Sequence, residues 1–394
     1  MRPPADNFLA KSGKNDPPGT PFRLRGRLLE RDRWTWRATD GGDPAALLEA
    51  FLHGHGLPVL DLSAPPVPTP RRAAAAAAVF VGADAAALMA GATRGAPTPV
   101  PAVPDLVAVA YGAAPADRPG GTQARGSHRI GDWVPSWTDA EHAAAVRAVR
   151  AAIAEGDVYQ VNVVGHRSAA YVGDPLRALE RVAGLPGADY GGLLSGEGWV
   201  IASASPESLV TVAGGVARTR PVKGTRPATV AGRAELLGSA KERAEHVMIV
   251  DLERNDLGRL AVPGSVRVES LYALREWVGL WQAESVVAAR LAPGVGLAAL
   301  LRALLPGGSV TGAPKLAAVA QAAALEPVGR GPAMGALGVV TADLVDLGLT
   351  IRTVAADADR LHLWAGGGIT WGSDPAAEVA EAHAKAAPVV RALG

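Results

Sequence analysis

Residues 220–227 read RPVKGTRP, which sets Lys223 among prolines, a glycine and arginines. The chain has 39 Lys and Arg residues, of which only Lys11, Lys14, Lys223, Lys241, Lys315 and Lys385 are lysines. Arginine is therefore the default cation, and a lysine in a turn shaped by proline and glycine is an exception. Arginine keeps its proton, whereas a lysine desolvated in a pocket becomes a neutral amine that can attack carbon. On an open loop the same lysine is only a solvated charge.

Other residues could join it. Glu207, in the SPE of 205–207, falls between two apolar stretches. It is either a desolvated carboxyl drawn toward a general acid's working range or a charge on a hairpin surface. Glu245 sits one turn past Glu242, whose side chain the pattern assigns to a helix cap, while Glu378, Glu381 and Lys385 fall at i, i+3 and i+7 on one helix face. Carboxylates brought together from two helices would suit a hard cation such as Mg²⁺; kept apart they are solvated stripes. PGGSVTGAPK (306–315) opens a helix whose free amides could take an anion, a carboxylate in preference, or is an ordinary loop. It lacks the Lys-Ser/Thr ending of a nucleotide phosphate loop. AGGG (365–368) lets a backbone approach a ligand closely, or is a bulge. No histidine spacing suggests zinc.

These groups need elements to hold them. Thr138 and Glu141 form a capping box, and Val146, Val149 and Ile153 follow at helical spacing until Gly156 stops the helix. DVYQVNVV (157–164) alternates like a strand, and WVIASASPESLVTVAG (199–214) reads as strand, turn and strand. Ser239 and Glu242 form a second capping box opening a helix to about Arg254, and Asp374 with Pro375 starts a last one. Residues 1–20 read as a disordered lead-in, 21–135 as a variable N-terminal subdomain ending in a linker-like stretch, and 136–394 as the main region of the same compact unit.

Composition removes several classes of function. The formal charge is +1 with no polybasic block, which argues against nucleic acid or a membrane surface as partner. No apolar run reaches the ~18 residues of a membrane span, and the polar N-terminus is unlike a signal peptide, so a cytoplasmic protein is expected. With no cysteine in the chain, disulfides, thiolate metal sites and a cysteine nucleophile are excluded here.

Taken in order, GDVYQVN (156–162), SPES (205–208), RPVKGTRP, SAKERAEHVMIVDLERNDLGR (239–259), PGGSVTGAPK, IRT (351–353), AGGGI (365–369) and SDPAAEVAEAHAKA (373–386) closely resemble the chorismate-utilising enzymes, over about two thirds of the chain. The resemblance implies an α/β (α+β) fold of two face-to-face, mostly antiparallel sheets with outer helices. Gln160 stands where the family's water-adding members carry a lysine base, and the VKGT lysine resembles that of aminodeoxychorismate synthase component I rather than anthranilate synthase component I. The implied activity is Mg²⁺-dependent amination of chorismate by ammonia to 4-amino-4-deoxychorismate, a p-aminobenzoate precursor. Formation of anthranilate or 2-amino-2-deoxyisochorismate, or a non-catalytic binding role, are the alternatives.

Carried onto this chain, the resemblance makes Lys223 the covalent nucleophile and Glu207 the acid, with Arg220 and Arg226 helping to keep Lys223 neutral. Glu245, Glu378 and Glu381 become Mg²⁺ ligands. Gln160, Thr225, Thr311, Gly312, Arg352, Gly366, Gly367, Gly368 and Lys385 become substrate-binding residues. Ammonia is expected from a separate glutamine amidotransferase subunit or from free ammonium. Gln282, Val339 and Ala382 depart from the family's usual histidine, tyrosine and threonine.

Overall fold

The computed structural model describes residues 28–65, 74–113, 127–277 and 279–394, so the expected lead-in of 1–20 and most of the linker-like stretch lie outside the described residues. Two sheets dominate. The first runs β1 (Leu28–Trp36), β3 (Leu106–Ala113), β2 (Ala76–Val81), β15 (Ala336–Thr341), β16 (Val345–Leu349), β9 (Ser208–Ala213), β10 (Val216–Arg220), β13 (Leu280–Arg290) and β11 (Val222–Pro227), with β12 (Arg267–Trp277) on the other side of β13. The second runs β14 (Gly312–Ala313), β6 (Gln160–Gly173), β18 (Arg360–Ile369), β17 (Thr353–Ala356), β8 (Trp199–Ser203) and β7 (Gly192–Gly196), with β4 (His128–Ile130) and β5 (Val134–Pro135) also on β6. The described pairings are antiparallel, as in β6 against β18 and β15 against β2.

The largest apolar cluster joins the sheets: Val210, Leu337 and Leu347 of the first meet Ile201, Ala355 and Trp364 of the second. Helices cover the outer faces. On the first sheet these are α1 (Pro44–Gly54), α2 (Ala83–Met89), α5 (Val230–Gly238), α6 (Ala240–Gly258) and α7 (Leu297–Leu304). On the second they are α3 (Asp139–Glu155), α4 (Leu176–Ala183), α9 (Lys315–Leu325) and α10 (Pro375–Leu393), with the single turn α8 (Gly308–Thr311) leading into β14. Expelling water from both faces of each sheet is the main source of stability. The N-terminal strands β1, β2 and β3 extend the same sheet as β9, β10 and β13.

Local signals account for several boundaries. The Thr138–Glu141 capping box is complete, and Gly156 ends α3 at a φ of 86°. Asp374 caps α10, and Pro375 fits its first turn. Two expectations need correction. Ser239 does accept from the Glu242 backbone, but the Glu242 carboxylate turns to Arg226 at 3.2 Å, so the second capping box is half made. The stretch 199–214 is no hairpin: β8 belongs to the second sheet and β9 to the first, and the chain crosses between them at 204–207. Among the described residues, no helix is long and apolar enough to cross a membrane.

Candidate active site

That crossover helps to line a cleft of about 830 Å³ whose other walls come from β11, α6, α8, the end of β18 and α10. Lys223 is the first feature to place. β11 pairs with β13 through Lys223↔Ala283 and Thr225↔Gln282, with a register shift at Gly224, whose φ is 76°. A side chain at 224 would lie 2.7 Å from Leu236 Cδ1 and 3.0 Å from Glu242 Oε2, so glycine is required by both conformation and space. Lys223 and Thr225 both line the cleft, and Lys223 Nζ donates to the Ser309 carbonyl at 2.9 Å. Burial pulls the Lys223 pKa below its ordinary value against the attraction of Glu245 and Glu207, with Lys385 adding a second push downward. The flanking arginines do not have the role expected of them: Arg220 faces Glu284 at 3.6 Å and Arg226 pairs with Glu235 and Glu242.

Glu207 is buried at 4% exposure rather than on a surface, because its neighbours enter different sheets. Its Oε1 has no hydrogen-bond partner, and burial raises its pKa against the pull of nearby Lys223 and Arg352. A carboxyl so placed holds its proton to higher pH and can act as an acid. Arg352, with a φ of 52°, is also buried and stacks its guanidinium 3.6 Å over the Trp277 ring. Burial lowers its pKa to about 9, which leaves it charged at neutral pH, and its Nη1 is unpartnered. A buried guanidinium beside a cleft, with one nitrogen unpartnered, suits a carboxylate.

The acidic residues line the same cleft, each beside a cation or hydroxyl. Glu245 of α6 accepts from Thr370 Oγ1 at 3.2 Å and lies 3.7 Å from Lys241; Glu378 of α10 accepts from Ser373 Oγ at 2.6 Å and lies 3.5 Å from Lys241. Glu381 pairs with Lys385 at 2.7 Å, and Lys385 also donates to the Gly366 carbonyl at 3.0 Å. Burial raises the pKa of Glu245 and Glu378, whereas Lys385 holds Glu381 low. Among the described residues no three His, Asp or Glu side chains stand in a ready metal-binding group. The three glutamates all offer oxygen to one cleft, the donor chemistry that Mg²⁺ takes, but lysines now stand between them.

The glycine stretch runs along this floor. β17 leaves β18 after Leu363, so 364–369 pair only with β6, and the Gly366 carbonyl points off the sheet to Lys385. In an antiparallel strand the amide of the same residue and that of Gly368 face the same open side. A side chain on Gly367 would meet Glu378, Lys385 and Glu381, and one on Gly368 would lie 2.5 Å from Gln160 Nε2 and 3.1 Å from Lys223 Nζ. Gln160 is buried behind Gly368 with both amide atoms unpartnered.

Lys223, Glu207, Thr225, Arg352, Gly366, Gly367, Gly368, Lys385, Glu245, Glu378 and Glu381 all line the cleft. Gln160, Thr311 and Gly312 do not. Thr311 donates to the Gly307 carbonyl and lines a separate cavity, while Gly312 pairs with Val161 at the sheet edge; Ser309 and Val310 of the same turn take the wall positions. Pro314 is the N-cap of α9, and the following Lys315 is committed to Asp256 at 2.7 Å. Gln282 lines the cleft, whereas Val339 is buried in β15 and Ala382 in α10, both off its wall. Lining residues that sequence reasoning did not assign to the site include Ser309 and Lys241, while Trp277 and Thr370 support Arg352 and Glu245 from off the wall. Only Lys241 carried a signal, as one of so few lysines.

Comparison with known proteins bears on the family and the fold. The profile described as chorismate binding enzyme matches residues 106–391. Aminodeoxychorismate synthase component 1 of Salmonella typhimurium is 38% identical over 268 residues, covering 66% of this chain and 59% of that protein. Anthranilate synthase component 1 of Streptomyces coelicolor is 38% identical over 274 residues, covering 68% of this chain and 54% of the relative. The aligned stretch thus spans little more than half of these relatives. Among solved structures, anthranilate synthase component I from Streptococcus pneumoniae superposes with a TM-score of 0.78 at 24% identity, covering 97% of this chain and 94% of that one, which bears on the fold alone. A profile match over most of the chain, on a fold whose central cleft holds the matched motifs, means that this chain belongs to the chorismate binding enzyme family.

Proposed function

We propose that the chain aminates chorismate at C4 with ammonia to give 4-amino-4-deoxychorismate, the reaction of an aminodeoxychorismate synthase component 1. One observation carries the reading: a lysine amine, desolvated and biased toward its neutral form, faces the same cleft as a buried, proton-holding Glu207. A nucleophile drawn toward its neutral form beside an acid drawn toward its protonated form is what displacement of a poor leaving group needs.

Lys223 Nζ adds to ring C2, the C1–C2 and C5–C6 double bonds shift, and the C4–O bond breaks as Glu207 protonates the departing hydroxyl to water. The alkylated nitrogen then returns a proton to the Glu207 carboxylate. Ammonia adds at C4, the double bonds shift back, and the C2–N bond breaks as Glu207 reprotonates the lysine. The new C4 ammonium gives its extra proton to Glu207, which closes the cycle. Arg352 with its free Nη1, Lys385 and the open amides of Gly366 and Gly368 would hold the substrate carboxylates. Glu245, Glu378 and Glu381 would bind Mg²⁺, which when bound supplies a positive anchor for the ring carboxylate. Gln160, an amide behind Gly368, offers no base to activate water there, which supports amination over hydration.

With no cysteine in this chain, the glutaminase chemistry that usually supplies ammonia falls to a separate amidotransferase subunit, or free ammonium replaces it. An anthranilate-type reaction is the second reading, favoured by a relative of that name at the same 38% identity. The test is to incubate purified chain with chorismate, Mg²⁺ and ammonium, then identify products by mass and by coupling to a p-aminobenzoate-forming lyase. A C4-aminated product supports the proposal, fluorescent anthranilate supports the second reading, and unconsumed chorismate refutes both.

A further inference from the structure

Lys241 lies where a cation shared by the cleft glutamates would lie. It belongs to the first turn of α6, and its Nζ is 3.7 Å from Glu245 Oε1 on its own helix and 3.5 Å from Glu378 Oε1 on α10. One ammonium therefore bridges two elements that meet only across the cleft. Thr370 and Ser373 give the two carboxylates hydrogen bonds but no charge, and among the described residues Lys241 is the one cation within 4 Å of both. The glutamate side chains are only 12% and 7% exposed, whereas that of Lys241 is 44% exposed. Two crowded, poorly solvated carboxylates repel each other unless a positive charge lies between them. The exposed, four-carbon lysine stem can withdraw that charge into solvent without moving a helix.

We propose that Lys241 is a built-in competitor for the divalent cation, bracing Glu245 and Glu378 in the metal-free protein and withdrawing when the metal binds. The inference rests on the reading that these glutamates are Mg²⁺ ligands. Lys241 acts here through the carboxylates and sets the metal concentration at which the site loads; it is a positioning residue and takes no part in bond making.

The experiment is calorimetric titration of the full chain with Mg²⁺ alone, without chorismate, comparing wild type with Lys241→Met, which keeps the stem and removes the charge. About tenfold tighter binding is expected, equivalent to about 1.4 kcal/mol. The melting temperature without metal should fall, and the rise on adding Mg²⁺ should be larger than in wild type. Arg243→Met removes a like charge from the same helix that instead lies over Tyr272, and should change the Mg²⁺ affinity less than about twofold. Lys241→Gln serves if the Met variant does not fold. Unchanged or weaker binding in the Lys241 variant, or an equal gain in Arg243→Met, overturns the competitor role while leaving the metal site standing. A wild-type chain that binds no Mg²⁺ overturns the metal reading as well.

Discussion

Replacing Arg352 with lysine keeps the positive charge and removes the geometry. The guanidinium sits 3.6 Å over Trp277, on a residue that lines the cleft, and its buried Nη1 has no partner. Losing a charge-assisted hydrogen bond to a carboxylate costs about 2 kcal/mol, while the stack on Trp277 is already made in the free protein, so its loss weighs on stability and not on binding. That loss, about 2 kcal/mol, predicts a fall of roughly 30-fold in kcat/KM for chorismate. Because the contact exists in both bound substrate and transition state, most of the loss should appear in KM. The assay is steady-state chorismate consumption with ammonium and Mg²⁺ in excess. The free protein should lose only about 1 kcal/mol of stability with the stack, since its Nη1 already lacks a partner. A change below about threefold would mean that no substrate carboxylate meets this side chain, and would refute the assignment.

Other expectations concern the rest of the cleft. Glu207→Gln should lower kcat by about 10² to 10⁴. In the wild type, activity needs a neutral Lys223 and a protonated Glu207, so it should fall toward both pH extremes; a Gln variant that keeps both limbs would assign one of them elsewhere. Gly368→Ala places a methyl 3.1 Å from Lys223 Nζ and should cost about 100-fold in kcat, measured beside an unfolding curve to show that the fold survives. Buried Glu253, whose pKa burial and Asp256 push up to about 8, is a stability test. Its folded pKa lies above the ordinary 4.5, so the stability it contributes is full below that value and is lost as pH climbs toward about 8. Glu253→Gln should therefore be close to neutral at acidic pH and stabilising at pH above about 8, by about 2 kcal/mol or more in urea unfolding, and an equal effect at both ends would contradict the shift.

What could be read from sequence was what local chemistry decides. The Thr138 capping box, the Gly156 stop and the Asp374–Pro375 start are each fixed by a few adjacent residues, and all three hold. The i, i+3, i+7 spacing of Glu378, Glu381 and Lys385 put them on one face, and that face lines the cleft. What failed depended on partners distant in sequence. Glu207 read equally well as a hairpin charge because its burial comes from strands of two different sheets. Glu242 could not be known to leave its cap, since Arg226 reaches it from β11. The help expected of Arg220 and Arg226 was wrong for the same reason: Glu284, Glu235 and Glu242 absorb their charge. Lys241 was visible only as a rare residue, because one of its two carboxylates lies on the last helix.

The most direct test is to mix the protein with chorismate and Mg²⁺ without ammonium, quench with acid, and map peptides by mass. The mechanism predicts a gain equal to chorismate less one water on the peptide carrying Lys223, absent in Lys223→Ala, which should also make no C4-aminated product. An unmodified peptide together with a Lys223→Ala protein that still aminates C4 at the wild-type rate would contradict it.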